Sequence, residues 1–103
     1  MGLLDRFKET LTIEEGLEQM KETEGAVLLD VRSEDEYKEG HLEGSVNIPI
    51  NRLAAISISK ETPLFVYCLS GARSKRAATF LKAAGYDVVN IGGLVDYSGE
   101  LVK

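Results

Sequence analysis

The only cysteine of the chain, Cys68, stands where an apolar segment meets a glycine-containing loop. The apolar segment runs from Leu64 to Tyr67, and an alanine-rich amphipathic segment begins at Ser74. A strand, a short loop and a helix in this order direct backbone N–H groups and the positive end of the helix dipole at the cysteine sulfur. We therefore expect the Cys68 thiol to ionise readily and to act as a nucleophile, because the thiolate is the reactive form.

The loop after Cys68 argues against an inert core cysteine, which is the common alternative for a lone thiol at a strand end. Gly71 permits a tight backbone whose N–H groups turn inward and form an anion-binding nest. Arg73 supplies a planar cation suited to oxyanions, and Ser74 is predicted to cap the helix that follows. An inert cysteine requires none of these residues.

Other chemistries find less support in the sequence. The only histidine, His41, could act as a base for Cys68, but nothing in the spacing brings the two together, so a structural role is predicted. One cysteine and one histidine do not supply a usual zinc ligand set. Gly92-Gly93 is interpreted as a turn, and no phosphate-binding or dinucleotide-binding glycine motif is present. We predict no metal and no organic cofactor.

The length of the loop favours a small group on the sulfur. Six residues run from Cys68 to Arg73 inclusive. Thiolate phosphatases use a loop with one more residue, and its wider ring encloses a tetrahedral phosphoryl group. The tighter ring better fits one extra atom, such as the outer sulfur of a persulfide.

The charge of the chain limits the kinds of partner that we expect it to bind. The chain has 103 residues, which predicts a single domain over residues 1–103, and its net charge of −5 argues against nucleic acid. Residues 64–86 nevertheless carry four basic side chains and no acidic one, which suggests a small anionic substrate. In the alternative interpretation, Lys75, Arg76 and Lys82 form the solvated face of a helix.

The location predicted from the sequence is cytoplasmic. No apolar run reaches the roughly 18 residues of a membrane span. Residues 1–6 lack the apolar core of a signal peptide, and Arg6 stands where myristoylation requires Ser or Thr. A single cysteine suits a reducing compartment.

Apolar runs alternate with helical patterns along the chain, which predicts an α/β domain with a parallel sheet. Thr12 and Ser33 each begin a capping box and therefore a helix. Strands are predicted over residues 26–30, 45–48, 64–67 and 87–91, and helical segments over 50–56, 74–84 and 94–97. Ligands bind at the carboxyl ends of such strands, where Asp30, Arg32 and Cys68 fall.

In this order and spacing, the motifs resemble the single-domain rhodanese (sulfurtransferase) family. The resemblance extends from about residue 11 to about residue 97 and rests on five segments: Leu28 to Ser33, Glu36-Tyr37, Gly40 to Pro49, Cys68 to Ser74, and Asn90 to Gly93. It implies a rhodanese-like α/β fold with a parallel sheet of about five strands and helices on both faces.

The resemblance also implies a site and a reaction. Cys68 would be the catalytic residue and carry sulfur as a persulfide. The backbone N–H groups of Leu69 to Arg73 would cradle that sulfur, and Arg73 would bind the anionic donor. Asp30, Arg32 and His41 would brace the sheet edge and loops. The implied substrate-binding residues are Leu69, Ser70, Gly71, Ala72, Arg73 and Ser74.

The implied function is a sulfurtransferase that moves sulfane sulfur from thiosulfate or a persulfide donor to a thiol or cyanide acceptor through Cys68. Three alternatives stay open: a persulfide carrier that delivers sulfur to a partner protein, a non-catalytic interaction module, and a phosphatase-like relative. No membrane or nucleic-acid partner is predicted.

Overall fold

The structure is a computed structural model that describes residues 11–103, and in this part of the chain four parallel strands form one sheet. The strands are β1 (Val27–Asp30), β2 (Val46–Asn47), β3 (Leu64–Cys68) and β4 (Val88–Gly93), arranged in the order β2-β1-β3-β4. The predicted α/β fold with a parallel sheet is confirmed, with four strands where about five were expected. The predictions about a leader and myristoylation concern residues that lie outside the described ones.

In residues 11–103, three α-helices and two 3₁₀ helices connect and cover the strands. They are α1 (Ile13–Lys21), α2 (Glu34–Glu39) and α3 (Ala72–Ala83), with 3₁₀ helices at Ile50–Ala55 and Leu94–Asp96. Both predicted capping boxes form, because the Thr12 and Ser33 side chains accept hydrogen bonds from backbone N–H groups three residues later. None of the described helices is both long and apolar enough to cross a membrane.

The start of α3 corrects one prediction. The helix begins at Ala72 with Gly71 as its N-cap, two residues before the start predicted at Ser74. Gly71 has φ +100°, a left-handed conformation that glycine adopts without the steric cost other residues incur, so the loop ends there. Ser74 lies inside the first turn, where its hydroxyl donates a hydrogen bond to the Gly71 carbonyl at 3.1 Å.

Strand β3 is one of the two inner strands of the sheet and is buried on both faces, as its continuous apolar sequence predicts. Leu64, Val66 and Cys68 belong to one core cluster, which includes Ala77 and Leu81 of α3. Phe65 and Tyr67 belong to the opposite cluster together with Ile13 of α1. The two-residue period of the strand therefore directs the Cys68 side chain toward α3.

The end of β1 is held by a buried ion pair. The Arg32 guanidinium donates to both carboxylate oxygens of Asp30, with a shortest distance of 2.7 Å, and also to the Gly40 carbonyl at 2.7 Å. Asn47 donates to the carbonyls of Asp30 and Arg32 from the neighbouring strand. The bracing role expected of Asp30 and Arg32 agrees with these contacts, which fasten α2 and β2 to the carboxyl edge of the sheet.

Candidate functional site

The Cys68 sulfur receives two backbone N–H groups from the segment that follows it. Gly71 N lies 3.0 Å from Sγ, and Ser74 N lies 3.3 Å from Sγ. The Ser74 hydroxyl is 3.5 Å from the same sulfur and lies on the same side of the loop. Because Ser74 N belongs to the first turn of α3, the sulfur also lies at the positive end of that helix. This arrangement stabilises negative charge on sulfur and on any anion attached to it.

The Cys68 side chain has no exposed surface. It packs in the cluster formed with Val66, Ala77 and Leu81. This sulfur has an apolar wall on one side and polar hydrogens on the other.

The backbone of the cysteine loop, residues 68–71, contacts the end of β4 and the 3₁₀ helix that follows it. The Leu69 carbonyl accepts a hydrogen bond from Val95 N at 3.0 Å. A trans peptide group points its C=O and N–H in opposite directions, so this bond turns the Ser70 N–H away from Val95. The Ser74 hydroxyl lies 3.4 Å from the Gly92 carbonyl, which adds a second link between the loop region and β4.

Arg73 is engaged by a carboxylate from another element. Its two terminal nitrogens donate to the two oxygens of Glu36 at 2.7 and 2.9 Å. Hydrogen bonding to Arg73 lowers the pKa of Glu36 to about 2, and hydrogen bonds from the Ser33 backbone and hydroxyl act in the same direction. Both side chains of the pair keep about 30% of their surface exposed. The pair ties the start of α3 to α2, so an anion would have to exchange with Glu36 to bind these two nitrogens.

His41 lies apart from the sulfur in a structural setting. Its ring stacks on Tyr37 with 3.6 Å between the centroids, and its Nδ1 lies 2.7 Å from the Tyr37 carbonyl. Its backbone pairs with Val102. These contacts agree with the structural role predicted for His41 and do not bring it to Cys68.

A cleft of about 490 Å³ opens beside the loop. Ser70 and Gly71 of the loop line this cleft together with Ala72, the first residue of α3. Gly92 and Gly93 also line it. Lys75 contributes a cation to its lining and Asp96 an anion. Lys75, Arg76 and Lys82 are all exposed on α3, as the interpretation of a solvated helix face expects.

Two residues with a part in the site escaped the sequence analysis. Glu36 is part of a capping box and of a segment of the family resemblance, but its contact with Arg73 is not predicted. Gly93 was interpreted as part of a turn, although it contacts the backbone of Leu69 and Ser70. The sequence contains one signal for Glu36, namely an acidic residue in a helix that starts near the carboxyl edge of the sheet. No sequence signal distinguishes Gly93 from an ordinary turn glycine.

Comparisons with known proteins agree with this architecture. The family model described as Rhodanese-like domain matches residues 14–100. Thiosulfate sulfurtransferase PspE of Escherichia coli is 36% identical over 80 residues, covering 73% of this chain and 77% of that protein. Adenylyltransferase and sulfurtransferase uba4 of Ogataea parapolymorpha is 37% identical over 90 residues, covering 82% of this chain and only 23% of that protein.

The solved structures include a close match in shape. The crystal structure of a rhodanese-like domain protein from Staphylococcus aureus superimposes with a TM-score of 0.80 and 26% identity, covering 91% of this chain and 96% of that one. The agreement extends over nearly the whole chain, and the family model spans the cysteine loop and all four strands. The chain therefore belongs to the rhodanese-like sulfurtransferase family.

Proposed function

We propose that this protein transfers sulfane sulfur through a persulfide on Cys68. The observation that carries the proposal is the convergence of Gly71 N and Ser74 N on the one cysteine sulfur, at distances of 3.0 and 3.3 Å. Thiosulfate is the proposed small donor, and a thiol or cyanide is the proposed acceptor. The name of PspE, a thiosulfate sulfurtransferase, supports this choice of donor.

The reaction is a double displacement on sulfur. The Cys68 thiolate attacks the outer sulfur of thiosulfate, so that an S–S bond forms to the cysteine. The bond between the two sulfurs of thiosulfate breaks, and its electron pair leaves with sulfite. In the second half, the acceptor attacks the outer sulfur of the persulfide, and the electron pair of the cysteine S–S bond returns to Cys68. The cycle needs no external oxidant or reductant.

The loop contributes electrostatic stabilisation at each stage. Negative charge resides on the cysteine sulfur before attack, on the outer sulfur of the persulfide, and on the cysteine sulfur again after release. Because these N–H donors already face the sulfur, they stabilise that charge during each displacement. The proposed binding residues are those of the loop and of the first turn of α3: Leu69, Ser70, Gly71, Ala72, Arg73 and Ser74.

Access to the sulfur requires a movement of the loop, because Cys68 has no exposed surface. The loop side chains are small or flexible, and Ser70, Gly71 and Ala72 already face the adjacent cleft. We propose that the donor enters from this cleft. A sulfur held by hydrogen bonds on one side only can be uncovered without disturbing the apolar packing on the other.

The test is a measurement of thiocyanate formed from thiosulfate and cyanide. The wild-type protein should form thiocyanate, and Cys68→Ser should form none. Lys82→Gln is the matched control, because it removes an exposed charge from the far end of α3. Folded wild-type protein that forms no thiocyanate, or a Cys68→Ser variant that retains the activity, would contradict the proposal.

A persulfide carrier that delivers sulfur to a partner protein is the second candidate. Leu69 is 40% exposed and Val95 is 63% exposed, and a backbone hydrogen bond joins them beside the loop. Exposed apolar side chains next to a reactive group suit contact with another protein. In this case Val95→Ser, which changes only the exposed side chain, would slow transfer to a protein acceptor while transfer to cyanide stays at the wild-type rate. Equal rates with both acceptors would argue against the carrier.

A further inference from the structure

Gly93 is a glycine for a reason unrelated to its own backbone angles. Its φ of −131° and ψ of 152° are ordinary extended values that any residue adopts. It therefore differs from Gly92, whose φ of +89° favours glycine. The requirement at position 93 comes from space, since a Cβ there would lie 2.3 Å from the Leu69 carbonyl oxygen and 2.7 Å from the Leu69 carbonyl carbon.

The atoms in the way belong to the backbone of the cysteine loop. A Cβ at position 93 would also come within 2.7 Å of the Ser70 carbonyl carbon. A flexible side chain could rotate aside, but a backbone segment has to move as a unit. Relief of this contact requires a shift of about 1 Å, given that carbon atoms pack at about 3.5 to 4 Å. Gly71, whose N–H contacts the Cys68 sulfur, is the next residue of the same segment.

An irregularity in β4 brings Gly93 to this position. Asn90 pairs with Val66, and Gly93 pairs with Cys68, so β4 has one more residue than β3 between the two pairs. This is a β-bulge, a device that redirects a strand near functional sites. The Asn90 side chain fixes it by accepting a hydrogen bond from Gly92 N at 2.9 Å. Beyond the bulge, Val95 N holds the Leu69 carbonyl.

We infer that the β4 bulge and Gly93 form a platform that sets the position of the cysteine loop, and that Gly93 is a positioning residue for sulfur transfer through Cys68. The inference rests on the proposed function. Glycine at position 93 lets the 69–70 peptide lie directly on the strand, which places Gly71 N at 3.0 Å from Sγ. A methyl group at position 93 displaces that peptide and moves the N–H away from the sulfur.

Gly16, which packs against the same strand, provides a matched control. It is a buried glycine in α1, and a Cβ there would lie 2.2 Å from the Ile91 side chain. Gly16→Ala therefore presses on the bulge through the Ile91 side chain, and the three atoms nearest to its Cβ all belong to Ile91. Gly93→Ala disturbs β4 and the loop together, so the difference between the two variants reports the effect of the loop.

The experiment compares the wild type, Gly93→Ala and Gly16→Ala in two assays. The first is the rate of sulfur loading from thiosulfate, where a displacement of about 1 Å should cost Gly93→Ala about 100-fold. The second is the iodoacetamide alkylation rate of Cys68 at about pH 6 relative to about pH 9, a ratio that reports how readily the thiolate forms. This ratio should fall further in Gly93→Ala, which meets the loop backbone directly, than in Gly16→Ala.

Three outcomes are decisive. A larger loss of loading and a lower alkylation ratio in Gly93→Ala than in Gly16→Ala support the inference. Wild-type behaviour of Gly93→Ala, or equal losses in both variants, overturns it. A wild-type protein that takes up no sulfur overturns the proposed function instead, while the alkylation ratio still tests the role of Gly93.

A second variant applies if Gly93→Ala does not fold. Val95→Pro removes the N–H that holds the Leu69 carbonyl, at a position whose side chain is 63% exposed. It should lower the loading rate and the alkylation ratio in the same direction, with a loading loss of about tenfold because the contact with Gly93 remains. Unchanged values in Val95→Pro would overturn the inference.

Discussion

Two arginine–carboxylate pairs lie at the carboxyl edge of the sheet, and they differ in burial. The side chains of Arg32 and Asp30, after β1, are 5% and 0% exposed. The side chains of Arg73 and Glu36, beside the cysteine loop, are 30% and 29% exposed. Both pairs have short, bidentate geometry, but only the first is shielded from water. The comparison indicates that the Arg32 pair holds the scaffold, whereas the Arg73 pair holds a segment that must be able to move.

The largest expected effect follows from breaking the buried pair. Asp30→Asn keeps the shape of the side chain but leaves the Arg32 charge buried without a counter-charge, so the free energy of unfolding should fall by about 3 to 5 kcal/mol. Chemical denaturation measures this change. Asp30→Asn combined with Arg32→Met removes both charges and should recover part of the loss. A loss in Asp30→Asn below about 1 kcal/mol would contradict the scaffold role.

A smaller effect, on catalysis, is expected from the exposed pair. Glu36→Gln releases Arg73, loosens the start of α3, and should lower kcat for thiocyanate formation about tenfold. The KM for thiosulfate should change little, because the loop amides are still present. This variant also tests the sequence prediction that Arg73 binds the donor. A guanidinium freed from Glu36 and bound directly to thiosulfate would instead lower KM.

The smallest effect is a pH dependence of stability that arises from the exposed pair. The pKa of Glu36 is lowered to about 2 from 4.5, so the unfolded state binds more protons between these values. The contribution of the pair is therefore fully present above about pH 4.5 and is lost as the pH falls toward 2. Since the pair is partly exposed, it should amount to about 1 to 2 kcal/mol.

The measurement compares denaturant midpoints of the wild type and Arg73→Gln from about pH 5 down to about pH 2. The difference between the two proteins should be largest at the upper end and shrink as the pH falls. A difference that is constant over this range would mean that the Arg73–Glu36 pair contributes no pH-dependent stability.

Local signals in the sequence predicted most of the fold. The capping boxes at Thr12 and Ser33, the unbroken apolar run of β3 and the helical spacing of α1 each involve only near neighbours in the chain. Backbone preferences and periodic burial are encoded at that range, so the elements and their order could be read directly.

The details of the site depend on contacts that are distant in sequence. Arg73 and Glu36 are separated by 37 positions, and no local pattern indicates that their side chains meet. The start of α3 at Ala72 depends on the left-handed conformation of Gly71. The sequence does not show which glycine of a loop adopts that conformation. Gly93 has ordinary backbone angles, so only the packed structure reveals why a side chain has no room there.

The most direct test of persulfide chemistry is intact mass spectrometry of the protein after incubation with thiosulfate. The wild type should gain about 32 Da, the mass of one sulfur on its only thiol, and lose it again on addition of cyanide. Cys68→Ser should gain nothing. A folded wild-type protein whose mass does not change, or an equal gain in Cys68→Ser, would contradict sulfur transfer through Cys68.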